Sequence, residues 1–227
     1  MARRRNNPYA GADRRTQQAK AKGYPARSVF KLEEIHRRCR VFRQGQHVLD
    51  LGAAPGSWTL YAAQQVGPRG RLVAVDLKPI KQQFPPTVTA LRGDALNPEA
   101  GSELSRTLLD GGPYDVVMSD MAPNTSGNTF TDQVRSFELC MAALRMAREL
   151  GKPGSQFIAK LFMSGEFPAA KKAVASAFDR CRVVRPEGTR DRSTEVFLVG
   201  QGLKPESEPP DRESPAQSPR IGPDPSR

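Results

Sequence analysis

Histidine is almost absent from this chain, which carries only His36 and His47 in 227 residues. Two isolated histidines argue against a His-based catalytic triad and against a His-rich metal site. Cysteine is equally scarce: Cys39, Cys140 and Cys181 are odd in number, far apart and nowhere form C-x-x-C. That argues against a disulfide framework or a zinc site and fits a reducing cytoplasm, and no metal is expected. Each cysteine reads as a small core filler rather than a nucleophile. No apolar run reaches the roughly 18 residues that suggest a membrane span. The opening Met1-Ala2-Arg3-Arg4-Arg5-Asn6-Asn7 is basic but leads into no apolar stretch, so it is not a secretory signal. Its lack of acids leaves an organelle transit peptide open.

Acid is also in short supply, and here the shortage points somewhere. Lys and Arg number 35 against 24 Asp and Glu, a net charge of +11, and the sequence pI is near 10.0. The excess favours a polyanionic partner, nucleic acid first and an anionic membrane second. A basic but uninvolved surface is the plain alternative.

Three zones follow one another. Residues 1–45 form a basic N-terminal extension. Residues 46–200 read as an alternating α/β domain, large enough to hold a core unaided. Residues 201–227 are rich in Pro, Ser, Glu, Asp and Arg, and lack the apolar groups that offset ordering entropy, which predicts disorder. In the basic zone, Val29, Leu32, Ile35, Cys39 and Phe42 make a helical stripe over 28–43 that can pack on the neighbouring domain. Arg14, Arg15, Lys20, Lys22 and Arg27, with the off-stripe bases of that helix, read as a phosphate-tracking surface or as a solvated face.

The middle zone predicts strands over 48–51, 71–75, 87–91, 114–118, 155–162, 182–185 and 194–199. Helices are predicted over 57–66, 131–150 and 167–178. Strands separated by helices imply a doubly wound, mostly parallel sheet with helices on both faces. Two successive strands at the end suggest a hairpin with an antiparallel last strand.

Such sheets bind ligands at the carboxyl ends of their strands. Asp50-Leu51-Gly52-Ala53-Ala54-Pro55-Gly56-Ser57-Trp58 occupies one such end. Its small residues let backbone approach a ligand, and a helix N-terminus follows. It lacks the third glycine of a dinucleotide fingerprint and the G-K-[ST] of a P-loop. The D-x-G-x-x-P-G pattern resembles motif I of class I methyltransferases, where it wraps the methionine part of S-adenosylmethionine. Asp76 ends the second strand, where an acid suits a ribose diol. Asp94 follows the third and suits an adenine amine, with a helix cap or turn as the alternative.

Lys160 is the anomaly, a lysine inside the apolar strand Phe157-Ile158-Ala159-Lys160-Leu161-Phe162. Burial penalises an ammonium and so favours the neutral amine of a base, and Lys31 is a candidate second cation acting the same way. Asp120, ending the fourth strand, can orient Lys160. Glu195 can hold Lys31 or a ribose hydroxyl. The alternative is a snorkelling edge-strand lysine.

Five segments together resemble the FtsJ/RlmE family of ribosomal RNA ribose 2′-O-methyltransferases. They are Ser28-Val29-Phe30-Lys31-Leu32, Asp50 to Trp58, Ser119-Asp120-Met121-Ala122-Pro123-Asn124, Ala159-Lys160-Leu161-Phe162 and Ser193-Thr194-Glu195-Val196. The resemblance implies a Rossmann-like class I fold with a seven-stranded sheet and S-adenosylmethionine as methyl donor. It implies a catalytic tetrad of Lys31, Asp120, Lys160 and Glu195, with Lys160 as proton acceptor. It also implies cofactor contacts from Gly56, Trp58, Asp76, Asp94 and Asp120. By the same resemblance the substrate is a uridine ribose in the A-loop of 23S rRNA within the assembled large subunit, and the enzyme is a cytoplasmic monomer. Methylation of tRNA, or a noncatalytic RNA-binding role in ribosome assembly, are the alternatives. Two departures stand out: Ser57 replaces a second glycine of the bacterial members, and Met163-Ser164-Gly165-Glu166 differs from their usual stretch after the lysine.

Overall fold

The computed structural model describes residues 10–124, 126–187 and 194–205. Two helices precede the sheet, α1 (Ala10–Ala21) and α2 (Val29–Cys39). There follow β1 (His47–Leu51), α3 (Ser57–Val66), β2 (Arg71–Asp76), β3 (Val88–Arg92), α4 (Glu103–Asp110) and β4 (Tyr114–Ser119). The chain then runs through α5 (Thr129–Leu150), β5 (Gly151–Phe162), α6 (Phe167–Ala177), β6 (Phe178–Val184) and β7 (Glu195–Leu203). All seven strands join one sheet in the order β3-β2-β1-β4-β5-β7-β6. The first five are parallel, and β7 runs antiparallel between β5 and β6, so the expected closing hairpin is present.

Each strand alternates between two cores. Val48, Leu72, Val116, Met118, Ile158, Phe197 and Val199 point to one face and pack with α2 and α3. Leu49, Val73, Val117, Phe157, Ala159, Val196 and Leu198 point to the other, under α4, α5 and α6. This period of two decides where the functional side chains go, because Asp76, Asp120 and Lys160 continue the first set. The α2 stripe of Val29, Leu32, Ile35 and Cys39 is buried as expected. The helix stops early, at Arg40 in a left-handed conformation, and Val41 and Phe42 are buried from the following loop.

Several boundaries differ from the sequence reading. Strand β5 begins at Gly151 rather than 155, through an irregularity in its pairing with β4 between Tyr114 and Val116. Strand β6 begins at Phe178, the last residue expected of the preceding helix. Strand β7 continues to Leu203, so Gln201, Gly202 and Leu203 belong to the sheet and not to the tail. Gln201 pairs with both Arg180 and Gln156, which holds this extension between two strands. Residues 206–227 lie outside the described residues, as does Ser193. Helices α1 and α4 were not anticipated. Among the described residues no helix is long and apolar enough to cross a membrane.

Candidate active site

The carboxyl edge of the parallel strands gathers the expected residues in one row. Leu51 pairs with Val75 and with Ser119, and Ser119 with Ala159. One residue further along, Asp76, Gly52, Asp120 and Lys160 stand side by side across four neighbouring strands. Lys160 in turn faces Phe197 across the β5–β7 ladder, and Phe162 faces Glu195. Cross-strand neighbours share a face, so Lys160 and Glu195 stand diagonally on the α2 side of the sheet.

Lys160 is only 8% exposed, and its Nζ donates to Asp120 Oδ1 at 2.8 Å and to the Asp120 carbonyl at 2.6 Å. This double contact rules out the snorkelling alternative, since the head group is turned inward to a carboxylate. Lys31 reaches from α2 to Glu195 Oε1 at 2.5 Å. Its ammonium also lies over the Phe197 ring, 5.9 Å from the centroid. The expected quartet therefore assembles as two ion pairs, Lys160–Asp120 and Lys31–Glu195, with Phe197 beside both lysines. The expectation that Lys31 acts as a like-charged neighbour of Lys160 is modified: Glu195 partners Lys31, and Asp120 partners Lys160.

The loop after β1 is folded inward by backbone bonds. Gly52 and Ala53 donate to the Val75 carbonyl at 2.9 and 3.1 Å, and Gly56 donates to the Ala53 carbonyl at 2.6 Å. Gly52 has φ +75°, and a Cβ there would sit 2.7 Å from Met121 Cγ. Gly56 has φ +107°, and a Cβ there would sit 2.9 Å from both Gln82 Cβ and Phe84 Cζ. Both positions thus need glycine for conformation and for space. The Asp76 carboxylate is held by the Ala54 N–H at 2.9 Å and the Lys78 N–H at 2.7 Å. Asp94 is exposed, accepts from the Leu96 N–H at 2.9 Å and the Asn97 side chain at 3.2 Å, and so serves a turn at the outer end of the row.

Trp58 is 2% exposed, and its indole N–H donates to the Ser28 carbonyl at 3.0 Å. Its ring packs on Phe197 at 5.6 Å between centroids. The side chain is therefore committed to the core beneath Lys31, and only its backbone N–H, in the first turn of α3, faces the loop. Ser57 has a structural task that glycine could not perform. Its hydroxyl accepts from the Ala26 N–H at 2.8 Å and donates to the Ala26 carbonyl at 3.1 Å. Together Ser57 and Trp58 tie the basic N-terminal segment to the first turn of α3.

Asp50 is the residue that the sequence reading did not weigh. It is fully buried, accepts from the Thr59 hydroxyl at 2.7 Å through Oδ2, and leaves Oδ1 without a partner. Burial pushes its carboxyl up from 3.8 to about 7, the Thr59 hydrogen bond opposes this, and the nearby Asp120 and Asp76 charges add to it. The signal was present in the sequence, as an acid inside the apolar run Val48-Leu49-Asp50-Leu51, but only burial gives it weight. Three carboxyl groups, Asp50, Asp76 and Asp120, thus converge on a glycine-lined loop and a helix N-terminus. That set suits a ligand with cationic centres, a ribose diol and a carboxylate, as S-adenosylmethionine has.

The cysteines and histidines stay outside this row. Burial raises the Cys39 thiol and lifts Cys140 to about 12, which keeps both protonated. His36 packs against Phe42 and Tyr61 and accepts from the Phe42 N–H at 3.3 Å.

The chain matches the FtsJ-like methyltransferase family over residues 24–203. It is 53% identical over 200 residues to the ribosomal RNA large subunit methyltransferase E of Sorangium cellulosum, covering 88% of this chain and 92% of that protein. It is 45% identical over 186 residues to the protein of that name from Oleidesulfovibrio alaskensis, covering 82% and 89%. A solved structure of a Plasmodium falciparum ribosomal RNA methyltransferase is similar with a TM-score of 0.69 at 21% identity, covering 79% of this chain and 98% of that one. Human methyltransferase-like protein 13 in complex with SAH is similar with a TM-score of 0.51 at 20% identity, covering 71% and 73%. These two likenesses show the Rossmann-like fold expected from the sequence.

Proposed function

Because this chain belongs to the FtsJ-like methyltransferase family, we propose that it is an S-adenosylmethionine-dependent ribose 2′-O-methyltransferase of large-subunit ribosomal RNA, with Lys160 as the proton acceptor. The large-subunit rRNA assignment is supported by the names of relatives that align along most of their length. The observation that carries the chemistry is the buried Lys160 amine, fixed by Asp120 at the carboxyl edge of the sheet.

A ribose hydroxyl is a weak acid and a poor nucleophile, so the site must align it and remove its proton. Lys160 accepts that proton once its ion-paired ammonium has released its own to solvent. The Asp120 carboxylate and carbonyl then face the ammonium that forms, already oriented, so little reorganisation is needed as charge develops. The Lys31–Glu195 pair stands one diagonal away on the same face, where it positions the sugar. Gly56, the Trp58 backbone, Asp76, Asp94 and Asp120 would hold S-adenosylmethionine, and Asp50 would lie beneath it. When bound, the cofactor supplies a methyl group made electrophilic by its sulfonium.

The substrate in this reading is a uridine ribose of the 23S rRNA A-loop in the assembled subunit, and the enzyme works as a cytoplasmic monomer. Ribose-methylation mapping of rRNA from a deletion strain tests this. The strain should lack a single 2′-O-methyl group, regained with the wild-type gene and not with Lys160→Ala. Restoration by Lys160→Ala would favour the noncatalytic assembly role, and a missing methyl group in tRNA would favour the other substrate.

A further inference from the structure

Two large apolar side chains stand in solvent on the rim of this site. Phe130 is 73% exposed and Met163 is 39% exposed. Phe130 lies in the first turn of α5, and Met163 is the first residue after β5, three residues beyond Lys160. The segments that carry them are tied together. Gln133, one turn after Phe130 on the same helix face, donates its side-chain amide to the Met163 carbonyl at 3.0 Å. The Met163 N–H is held by the Thr194 carbonyl at 2.7 Å, and the Phe162 N–H by the Ser136 hydroxyl at 3.0 Å. The segment that brings Phe130 here leaves Asp120 and is pinned where Ser126 donates its N–H and its hydroxyl to Asp132, both at 2.9 Å. The patch is therefore mounted on the two segments that leave Asp120 and Lys160.

The opposite flank is basic. Lys31 on α2, and the bases of α1 and α2, lie on the other face of the sheet. A ribose brought to Lys160 would thus sit between a basic flank and an apolar one. A 2′-hydroxyl becomes reachable when its nucleotide is splayed out of a stack, and such RNA is read by bases stacking on aromatic side chains. The N-terminus of α5 beside Phe130 also favours a nearby anion, such as an RNA phosphate.

We propose that Phe130, with Met163 on the segment bonded to its helix, is a stacking platform for an unpaired base next to the target nucleotide. The proposal rests on the RNA ribose reading above, and it adds a determinant of substrate choice. Phe130 is not among the hydrogen-bond partners that fix the Lys160–Asp120 pair, so its effect belongs to RNA binding rather than to proton transfer.

The test compares wild type, Phe130→Ala, Phe130→Tyr and Met163→Ala on large ribosomal subunits from the deletion strain. Phe130→Ala should raise KM for the subunit by about five- to a hundredfold, the range of stacking on one aromatic, with kcat and S-adenosylmethionine affinity unchanged. Phe130→Tyr should restore KM, and Met163→Ala should raise it less. A short unpaired oligoribonucleotide should compete more weakly with Phe130→Ala than with wild type, whereas a duplex of the same sequence should compete equally with both. Unchanged KM in Phe130→Ala, failure of tyrosine to restore it, or equal loss for paired and unpaired competitor would overturn the proposal while leaving ribose methylation intact. A wild-type enzyme that methylates no RNA ribose would overturn both readings.

Discussion

At the scale of single residues, buried charge organises this protein. Asp50 and Lys160 both occupy strand positions whose neighbours are apolar, and both point to the α2 side of the sheet. They resolve the cost of burial differently: Lys160 is paired with Asp120, whereas Asp50 is driven toward its neutral form. Because the folded carboxyl titrates near 7 against 3.8 for an ordinary aspartate, the folded state holds a proton that the unfolded chain has released across that window. The Asp50 contribution to stability therefore falls as pH rises from about 4 to about 7, and stays low above it. Asp50→Asn keeps an acceptor for the Thr59 hydroxyl and has no proton to lose. The melting temperature of Asp50→Asn relative to wild type should accordingly climb as pH is raised through this window, measured by calorimetry. Parallel melting profiles for the two proteins would contradict this account. Apart from Asp50, which lies inside β1, the acids and lysines of the site were legible in the sequence. The division into pairs was not, because it depends on the β5–β7 register and on where α2 lies over the sheet. The role of Trp58 was likewise hidden, since a backbone contact and a side-chain contact look alike in a motif.

At the scale of elements, strong periodicity was readable and weak periodicity was not. Helix α3 falls over the expected residues because Gly56 and Gly67 bound a continuous run of helix formers. Helix α4 is eight residues long and its stripe is Leu104 and Leu108, one turn, too short to stand out in the sequence. Helix α1 is polar along most of its length, and Ala19 is the buried apolar residue among its described side chains. The ends of β5, β6 and β7 are set by pairing between strands, which no local pattern encodes. The joint between the basic segment and the cofactor loop also belongs to this scale, and Ser57 is its centre. Removing both of its bonds with Ser57→Ala leaves the partly buried Ala26 groups short of partners. It should cost about 1–3 kcal/mol in denaturant unfolding. A cost near zero would show that the Ser57 bonds do not hold this joint.

At the scale of the whole molecule, the sheet edge sets the residues proposed for cofactor, base and RNA side by side. The row Asp76, Gly52, Asp120, Lys160 runs from the proposed cofactor half to the proposed catalytic half, and α1 and α2 border the latter with positive charge. The structure narrows which bases are available to phosphates. Arg15 donates to the Glu187 carbonyl at 2.8 Å, and Lys22 pairs with Glu33 at 3.6 Å while lying over Phe30. Arg14, Lys20 and Arg37 are exposed on the same helices. Neutralising these three should make the slope of log affinity against log salt shallower by about 2, at roughly 0.7 per phosphate contact on single strands. An unchanged slope would remove the phosphate-tracking role of this flank. The central claim, that Lys160 takes the ribose proton, is tested most directly by single-turnover methyl transfer to large ribosomal subunits by Lys160→Ala. The account predicts a rate lower by at least about 100-fold with S-adenosylmethionine and RNA affinity retained. A rate close to that of wild type, with both ligands bound, would contradict it.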